Sequence, residues 1–512
     1  MKLVKIATSA SRTRSTIGLH WLMEEMNLRT PAPFVRSESV SGARKTYQSP
    51  AGTIELYPAS YAPRDIWGHL RFALRYEPVD LGVLAAFFSA VNPPELQQWI
   101  QTASTGVFAR RAWYLFEMLT GRHLDMPDVA PTGYAPLLNP EMHVTTTGFR
   151  VQRQRILDNL LGNNEYCPLI RRTSGLDGWM AQDFGQMFQE QVIGVKPGVV
   201  HRATQYLFTK ETKSSFAIEG ETPAADKASR FVRALQHIAD FDTTKKDSFV
   251  ELQRLIVDGR YAIDNWRSLP VWVGTTVSSD MEVVHLVGPK PEDLPSLMDG
   301  WMRAVARTLN GEVNAVCVAA IAGFGFVYLH PFEDGNGRIH RFLIHYALAK
   351  VGFTPPGVVF PVSAYMLRNA KVYDQALEFL SNKINALVDF RIDYGTDGVP
   401  RIHISGETAS LYRFPDLTFQ AEYLYRAVDD TIRTDMKMEL AFLASYDRAM
   451  AAAKEIVDMP DLRASLLVRL ILQNHGHLST RKRKQFSELR DEEIERIERA
   501  IAEASAVREV GK

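Results

Sequence analysis

The chain has 512 residues, 46% of them apolar and 23% charged, with 59 Lys and Arg balanced by 59 Asp and Glu. Such a length exceeds a single core, so roughly two to four domains are expected, and the zero net charge excludes a dominant attraction to nucleic acid or anionic membrane. Two lone cysteines, Cys167 and Cys317, exclude a disulfide framework or a thiolate zinc site. No apolar run approaches the ~18 residues of a membrane span; a soluble cytoplasmic protein with no membrane partner is expected.

Residues 1–150 read as an α+β accessory domain. A β-like run covers Thr53–Tyr57, and a helical pattern covers Leu96–Leu119 with a break at Gly106 and an end at Gly121. The first fifty residues hold eight Lys/Arg against three Glu, a solvated surface or a nucleic-acid contact.

Residues 151–400 read as mostly helical. Amphipathic patterns fall at Asp226–Ile238, Asp247–Val257, Pro295–Asn310, Glu312–Tyr328 and Gly337–Lys350. Leu269–Val287 reads as a hairpin, with Val271, Val273, Val283 and Val284 flanking a polar tip. Residues 401–512 read as a helical module, with helices near Asp435–Val457, Asp461–Gln473 and Arg490–Ala504 and a basic turn at Arg481–Lys484. A winged helix or other helix-turn-helix is its expected form.

The densest chemistry lies in His330-Pro331-Phe332-Glu333-Asp334-Gly335-Asn336-Gly337-Arg338-Ile339-His340-Arg341. An apolar helix delivers His330 to a loop, and Pro331 stops that helix. Gly335 and Gly337 allow a tight turn close to a ligand, and the loop feeds a helix whose free N–H groups favour an anion. Arg338 and Arg341, three apart, can fork onto phosphate oxygens. Asp334 is a hard oxygen ligand suited to Mg²⁺ shared with a polyphosphate, and His330 suits general-base work. Together these parts equip a phosphate-centred transfer.

This segment resembles the Fic signature HPFx[DE]GNGRxxR at every specified position, and the resemblance extends over roughly residues 200–385. It implies a mainly α protein with a helical Fic core and a β-hairpin flap. It further implies an enzyme in which His330 deprotonates a target Ser, Thr or Tyr hydroxyl that attacks the α-phosphate of ATP. Asp334 would hold Mg²⁺, Gly335, Asn336 and Gly337 would cradle the phosphates, and Arg338 and Arg341 would take the β- and γ-phosphates. The related Doc-type kinases carry Lys where this chain has Gly337, so the resemblance favours AMP transfer. Where many relatives have a histidine before the motif, this chain reads Ala322-Gly323-Phe324-Gly325-Phe326-Val327; two glycines inside a helix cost about 1 kcal/mol each relative to alanine and fit close helix packing.

Upstream, Ser215-Phe216-Ala217-Ile218-Glu219-Gly220 ends a helical pattern of about 203–219 and resembles the Fic inhibitory motif [ST]xxxE[GN]. Ser215 and Glu219 share a face, Gly220 can end the helix, and Phe216 and Ile218 can pack while Glu219 stays free. The resemblance implies that Glu219 pairs with Arg341, as in the N-terminally inhibited class. The hairpin resembles the family's flap, which pairs with an extended target segment; Thr275, Thr276 and Val277 are the expected contacts. Tyr373 falls where relatives set an aromatic against adenine, a position a core tyrosine would equally fill. Self-modification and a homodimer are further expectations. The alternatives are removal of AMP or transfer of another phosphate group on the same scaffold, and a DNA-binding regulator with a Fic sensor core.

Overall fold

The computed structural model describes residues 14–49, 52–278, 281–395 and 399–506. Four short strands open the described chain: β1 (Ser15–Ile17), β2 (Val35–Val40), β3 (Lys45–Ser49) and β4 (Gly52–Pro58). Their order is β1-β2-β4-β3. β2 runs parallel to β4 with Val35 opposite Thr53, and the two outer pairings are antiparallel. Helices at Ile66–Tyr76, Leu81–Ala90, Pro93–Gln101 and Val107–Thr120 follow. The pattern over 96–119 is thus two helices interrupted near Gly106, and Gly121 ends the second at φ 68°, as glycine does at this cap. Their apolar faces build one core from Leu19 to Leu169.

A second, larger core extends from Val144 to Leu440, so apolar packing runs across positions 150 and 400. Its helices are α1 (Pro197–Ile218), α2 (Ala225–Gln236), α3 (Lys246–Ile256), α4 (Leu294–Leu309), α5 (Ala315–Leu329), α6 (Asn336–Lys350), α7 (Val362–Arg368), α8 (Ala370–Asn385) and α9 (Thr418–Asp430). Between α3 and α4 stands the antiparallel hairpin β5 (Trp272–Ser278) and β6 (Met281–Val287). A second hairpin, β7 (Asp389–Tyr394) and β8 (Pro400–Ser405), follows α8.

Helix α5 is apolar all round and buried along its whole length, which is the pattern of a helix enclosed on every side. Its two glycines are contact points: a Cβ on Gly323 would lie 2.7 Å from Ile344 Cγ1 of α6, and one on Gly325 2.8 Å from Trp301 Nε1 of α4. Close packing against both neighbours therefore requires them.

The C-terminal helices α10 (Lys437–Ile456), α11 (Asp461–Gln473) and α12 (Asp491–Ala506) enclose a small separate core around Leu467, Ile471, Phe486 and Ile497. Among the described residues from 437 onward there is no strand, so no wing accompanies these helices. In the basic turn, Arg483 is committed internally, donating to Phe486 O, Leu489 O and Asp491 Oδ1.

Candidate active site

Helix α5 ends at Leu329, and His330 caps it in the left-handed region at φ 49°, ψ 59°. A non-glycine residue pays strain there, which throws the imidazole off the helix axis. Nδ1 lies 3.2 Å from Val327 O; a proton on Nδ1 satisfies that carbonyl and leaves the Nε2 lone pair available. Burial, then the positive charge of Arg267, pushes the His330 pKa down to about 4, so the ring is neutral at pH 7.

The loop is stitched together by Asn336. Its Oδ1 accepts from Phe332 N at 3.0 Å and its Nδ2 donates to Phe332 O at 2.7 Å. The amide expected to cradle phosphate instead shapes the turn. Gly335 has φ 91°, a conformation that favours glycine. Asp334 Oδ1 accepts from Gly335 N at 2.5 Å and from Arg338 Nη2 at 2.7 Å.

The two motif arginines diverge. Arg341, 1% exposed, donates to Ser215 Oγ (2.9 Å), Ser215 O (2.7 Å) and Glu219 Oε1 (2.7 Å). Arg338 turns toward α3 and the segment after α1, donating to Ile256 O and to Glu221 Oε2, each at 3.0 Å. The two guanidinium groups therefore take different partners: Arg338 is held by Glu221 and Ile256, and Arg341 by Ser215 and Glu219. Helix α1 starts at Pro197, six residues before the expected 203; proline is well tolerated at a first helical position. Glu219 is the residue just after the helix, and Gly220 follows at φ 70°. Phe216 is buried, and Glu219, far from free, is bound to Arg341. Burial would raise the Glu219 pKa, but the charge and hydrogen bond of Arg341 outweigh it and hold the carboxyl below its usual range. A Cβ built on Gly337 would collide with Glu219 Oε1, so glycine at 337 is what lets the carboxylate in.

These groups face one cavity of about 310 Å³. His330, Asp334, Gly335–Gly337 and Arg341 form one side, Glu219 and Ile218 cover the arginine, and α8 and the hairpin form the far wall. Tyr373 lines it while only 5% exposed, its ring stacked on His340 with centroids 6.2 Å apart; burial pushes its hydroxyl up to about 12. It is both a core residue and a wall residue. On the hairpin, Thr275 and Val277 are exposed, and Thr276 stands opposite Glu282 in the register. Thr275 Oγ1 lies 3.1 Å from His285 Nε2, whose Nδ1 lies 2.9 Å from Glu378 Oε1.

The donor set fits Mg²⁺ held with a polyphosphate. Asp334 offers one carboxylate to the cavity, and among the described residues no group of three His, Cys, Asp or Glu forms a protein-only cage; Mg²⁺ is commonly held by one or two carboxylates together with phosphate oxygens. Among the described residues no helix is long and apolar enough to cross a membrane. Sequence reading missed Glu221, Arg267, His285 and Glu378. Only Glu221 left a local signal, as a second acid two residues beyond Glu219.

Residues 243–348 match the family model described as the Fic/DOC family. The chain is 27% identical over 135 residues to the protein adenylyltransferase Fic of Nematostella vectensis, covering 26% of this chain and 30% of that protein. It is 33% identical over 113 residues to the protein adenylyltransferase Fic of Culex quinquefasciatus, covering 22% of each. The chain thus aligns with no more than 30% of the length of either relative. A crystal structure of a Fic family protein from Desulfovibrio desulfuricans G20 superposes with a TM-score of 0.38 at 16% identity, over 59% of this chain and 88% of that one. The helix–loop–helix that carries His330 and Arg341 lies inside the matched segment, and this part of the chain, residues 243–348, is a domain of the Fic/DOC family.

Proposed function

We propose that the protein is an adenylyltransferase that moves AMP from ATP onto a Ser, Thr or Tyr hydroxyl of a protein and is held back by Glu219. The observation that carries this reading is one cavity in which a neutral histidine with a free Nε2, a backbone turn at a helix N-terminus and a buried arginine converge, with Glu219 seated on the arginine.

In this reading, His330 Nε2 takes the proton of the target hydroxyl as its oxygen attacks the α-phosphorus. The bond from that phosphorus to the bridging oxygen breaks, and pyrophosphate leaves. The N–H groups at the start of α6 and the Arg341 guanidinium bind the β- and γ-phosphates. Mg²⁺, held by Asp334, would neutralise phosphate charge. Arg338 acts at the edge of the site, where it fixes Asp334 through their 2.7 Å contact. The adenine end falls toward Tyr373 and α8. The hairpin edge at Thr275–Val277 docks an extended target by strand addition, which orients the hydroxyl through backbone contacts.

Glu219 competes with phosphate for the donors of Arg341. The test is incubation of the protein, its Glu219→Gly and His330→Ala variants and the double variant with Mg²⁺ and ATP labelled at the α-phosphate. Label on protein should rise at least tenfold in Glu219→Gly, as expected for loss of an interaction of about 1.4 kcal/mol or more, and should vanish in Glu219→Gly/His330→Ala. Equal label in Glu219→Gly and the parent would remove the brake from this account. No label from any folded variant that binds ATP would remove the transferase.

A further inference from the structure

Burying a cation is costly unless its donors are met. Arg267 is 2% exposed. Its guanidinium reaches three separate segments: Nε donates to His330 O at 2.7 Å, Nη1 to Leu269 O at 2.9 Å, and Nη2 to Pro289 O at 2.7 Å. Its own backbone N–H donates to Pro331 O at 2.8 Å. Each partner is a neutral carbonyl, and room is kept for the fork: a Cβ on Gly288 would lie 2.8 Å from Nη2.

The three carbonyls are not equivalent. Leu269 precedes β5 and Pro289 follows β6, so they are the two feet of the hairpin, whose base is closed by Gly288 N donating to Val271 O at 3.0 Å. His330 is the strained cap of α5, and a non-glycine residue persists in that region only where its surroundings hold it. The planar fork of an arginine can satisfy three carbonyls in fixed relative positions; the ammonium of lysine, on a flexible stem, cannot reproduce that geometry.

We propose that Arg267 is a positioning residue that holds the backbone of His330 in its left-handed conformation and ties the target-docking hairpin to the same loop. The base and the hydroxyl that the hairpin presents are thereby kept in one frame. A shift of ~1 Å between reacting groups can cost about 100-fold in rate. The ATP phosphates, held by α6 and Arg341, lie outside this frame. Removing Arg267 should therefore depress the rate at saturating ATP without changing the ATP concentration for half-maximal rate.

The inference rests on the transferase reading, and the experiment separates the two. In the Glu219→Gly background, Arg267→Met is compared with its parent for self-labelling against ATP concentration, per folded molecule. Hydrogen–deuterium exchange is followed at Gly288 and at His330, whose N–H donates to Phe326 O at 3.0 Å. The expected result is a loss of about 100-fold in saturating rate, an unchanged half-saturating ATP concentration, and faster exchange at both sites together while 461–473 is unaltered. Full rate in folded Arg267→Met overturns the proposal. So does a loss that appears only in the ATP concentration dependence. If Arg267→Met does not fold, Arg267→Lys carries the test: a folded Lys variant with depressed saturating rate supports it, and one with full rate overturns it. If Glu219→Gly shows no labelling, the transferase reading falls by itself. Exchange then judges Arg267, with joint acceleration at the two sites in support and none against.

Discussion

Glu221 places a second carboxylate on the motif arginines, pairing with Arg338 at the edge of the cavity. Its Oε2 sits 3.0 Å from Arg338 Nη1 and 3.2 Å from Lys227 Nζ, with Glu221 38% exposed and Arg338 2%. A half-exposed pair of this kind contributes about 0.5–1 kcal/mol. Glu221→Gln should therefore raise self-labelling by roughly two- to fivefold, well short of Glu219→Gly; initial rates of label incorporation at fixed ATP measure it. An unchanged rate would restrict Glu221 to anchoring the turn after α1.

At the scale of elements, the brake belongs to a helix that is fastened elsewhere. Glu211 of α1 is fully buried; it accepts from Ser363 N at 2.9 Å and from Ser363 Oγ, and lies 2.8 Å from His345 Nε2 of α6. Lys210 and Arg368 converge on Asp435, and Arg202 reaches Asp447 of α10 at 2.5 Å. Relief of inhibition is thus expected in the last turn, at Ile218–Glu221, with the body of α1 staying docked. Glu211→Ala leaves His345 and Ser363 without their buried partner and should lower stability by roughly 3 kcal/mol, read as a fall in midpoint in a denaturant titration. A loss below about 0.5 kcal/mol, the usual size for a surface change, would contradict the fastening. These contacts mark the limit of what sequence made legible. The turn from His330 to Arg341 could be read because proline, glycine and the helix start that follows them act locally. Glu221 meets Arg338 across 117 positions, Arg267 meets His330 across 63, and His285 meets Glu378 across 93. No residue pattern encodes such pairs until packing of α1, α3, α8 and the hairpin brings them together. The helices themselves were legible from apolar periodicity, whereas Pro197 hid the true start of α1.

For the whole molecule, acid is the exposed flank. His20, His69, His143 and His330 are pushed down to about 4 and His340 to about 3, each first by burial. These rings are neutral when folded and charge near 6.5 when unfolded. Their contribution is complete above pH 6.5 and is lost as pH falls toward 4, because the unfolded chain then binds protons the folded chain refuses. Burial acts in the opposite sense on Glu77 and Asp80, raised to about 7 and about 6: protonated when folded, they favour the native state as pH drops. Five histidines against two carboxylates leave a net loss, approaching about 4 kcal/mol per pH unit at its steepest. Thermal midpoints should fall steeply between pH 6.5 and 4.5; a flat profile there would show that these rings take up protons in the folded state.

The glycine at 337 has a consequence for descent. The Glu219 carboxylate occupies the space that a side chain at 337 would take. A side chain at 337 would force the Glu219 carboxylate to shift in the same step that reshapes the turn opening α6. On the proposed function, a change at 337 therefore disturbs the restraint by Glu219 and the phosphate turn together. In that reading, restraint and choice of reaction meet at one residue, and a single codon carries both.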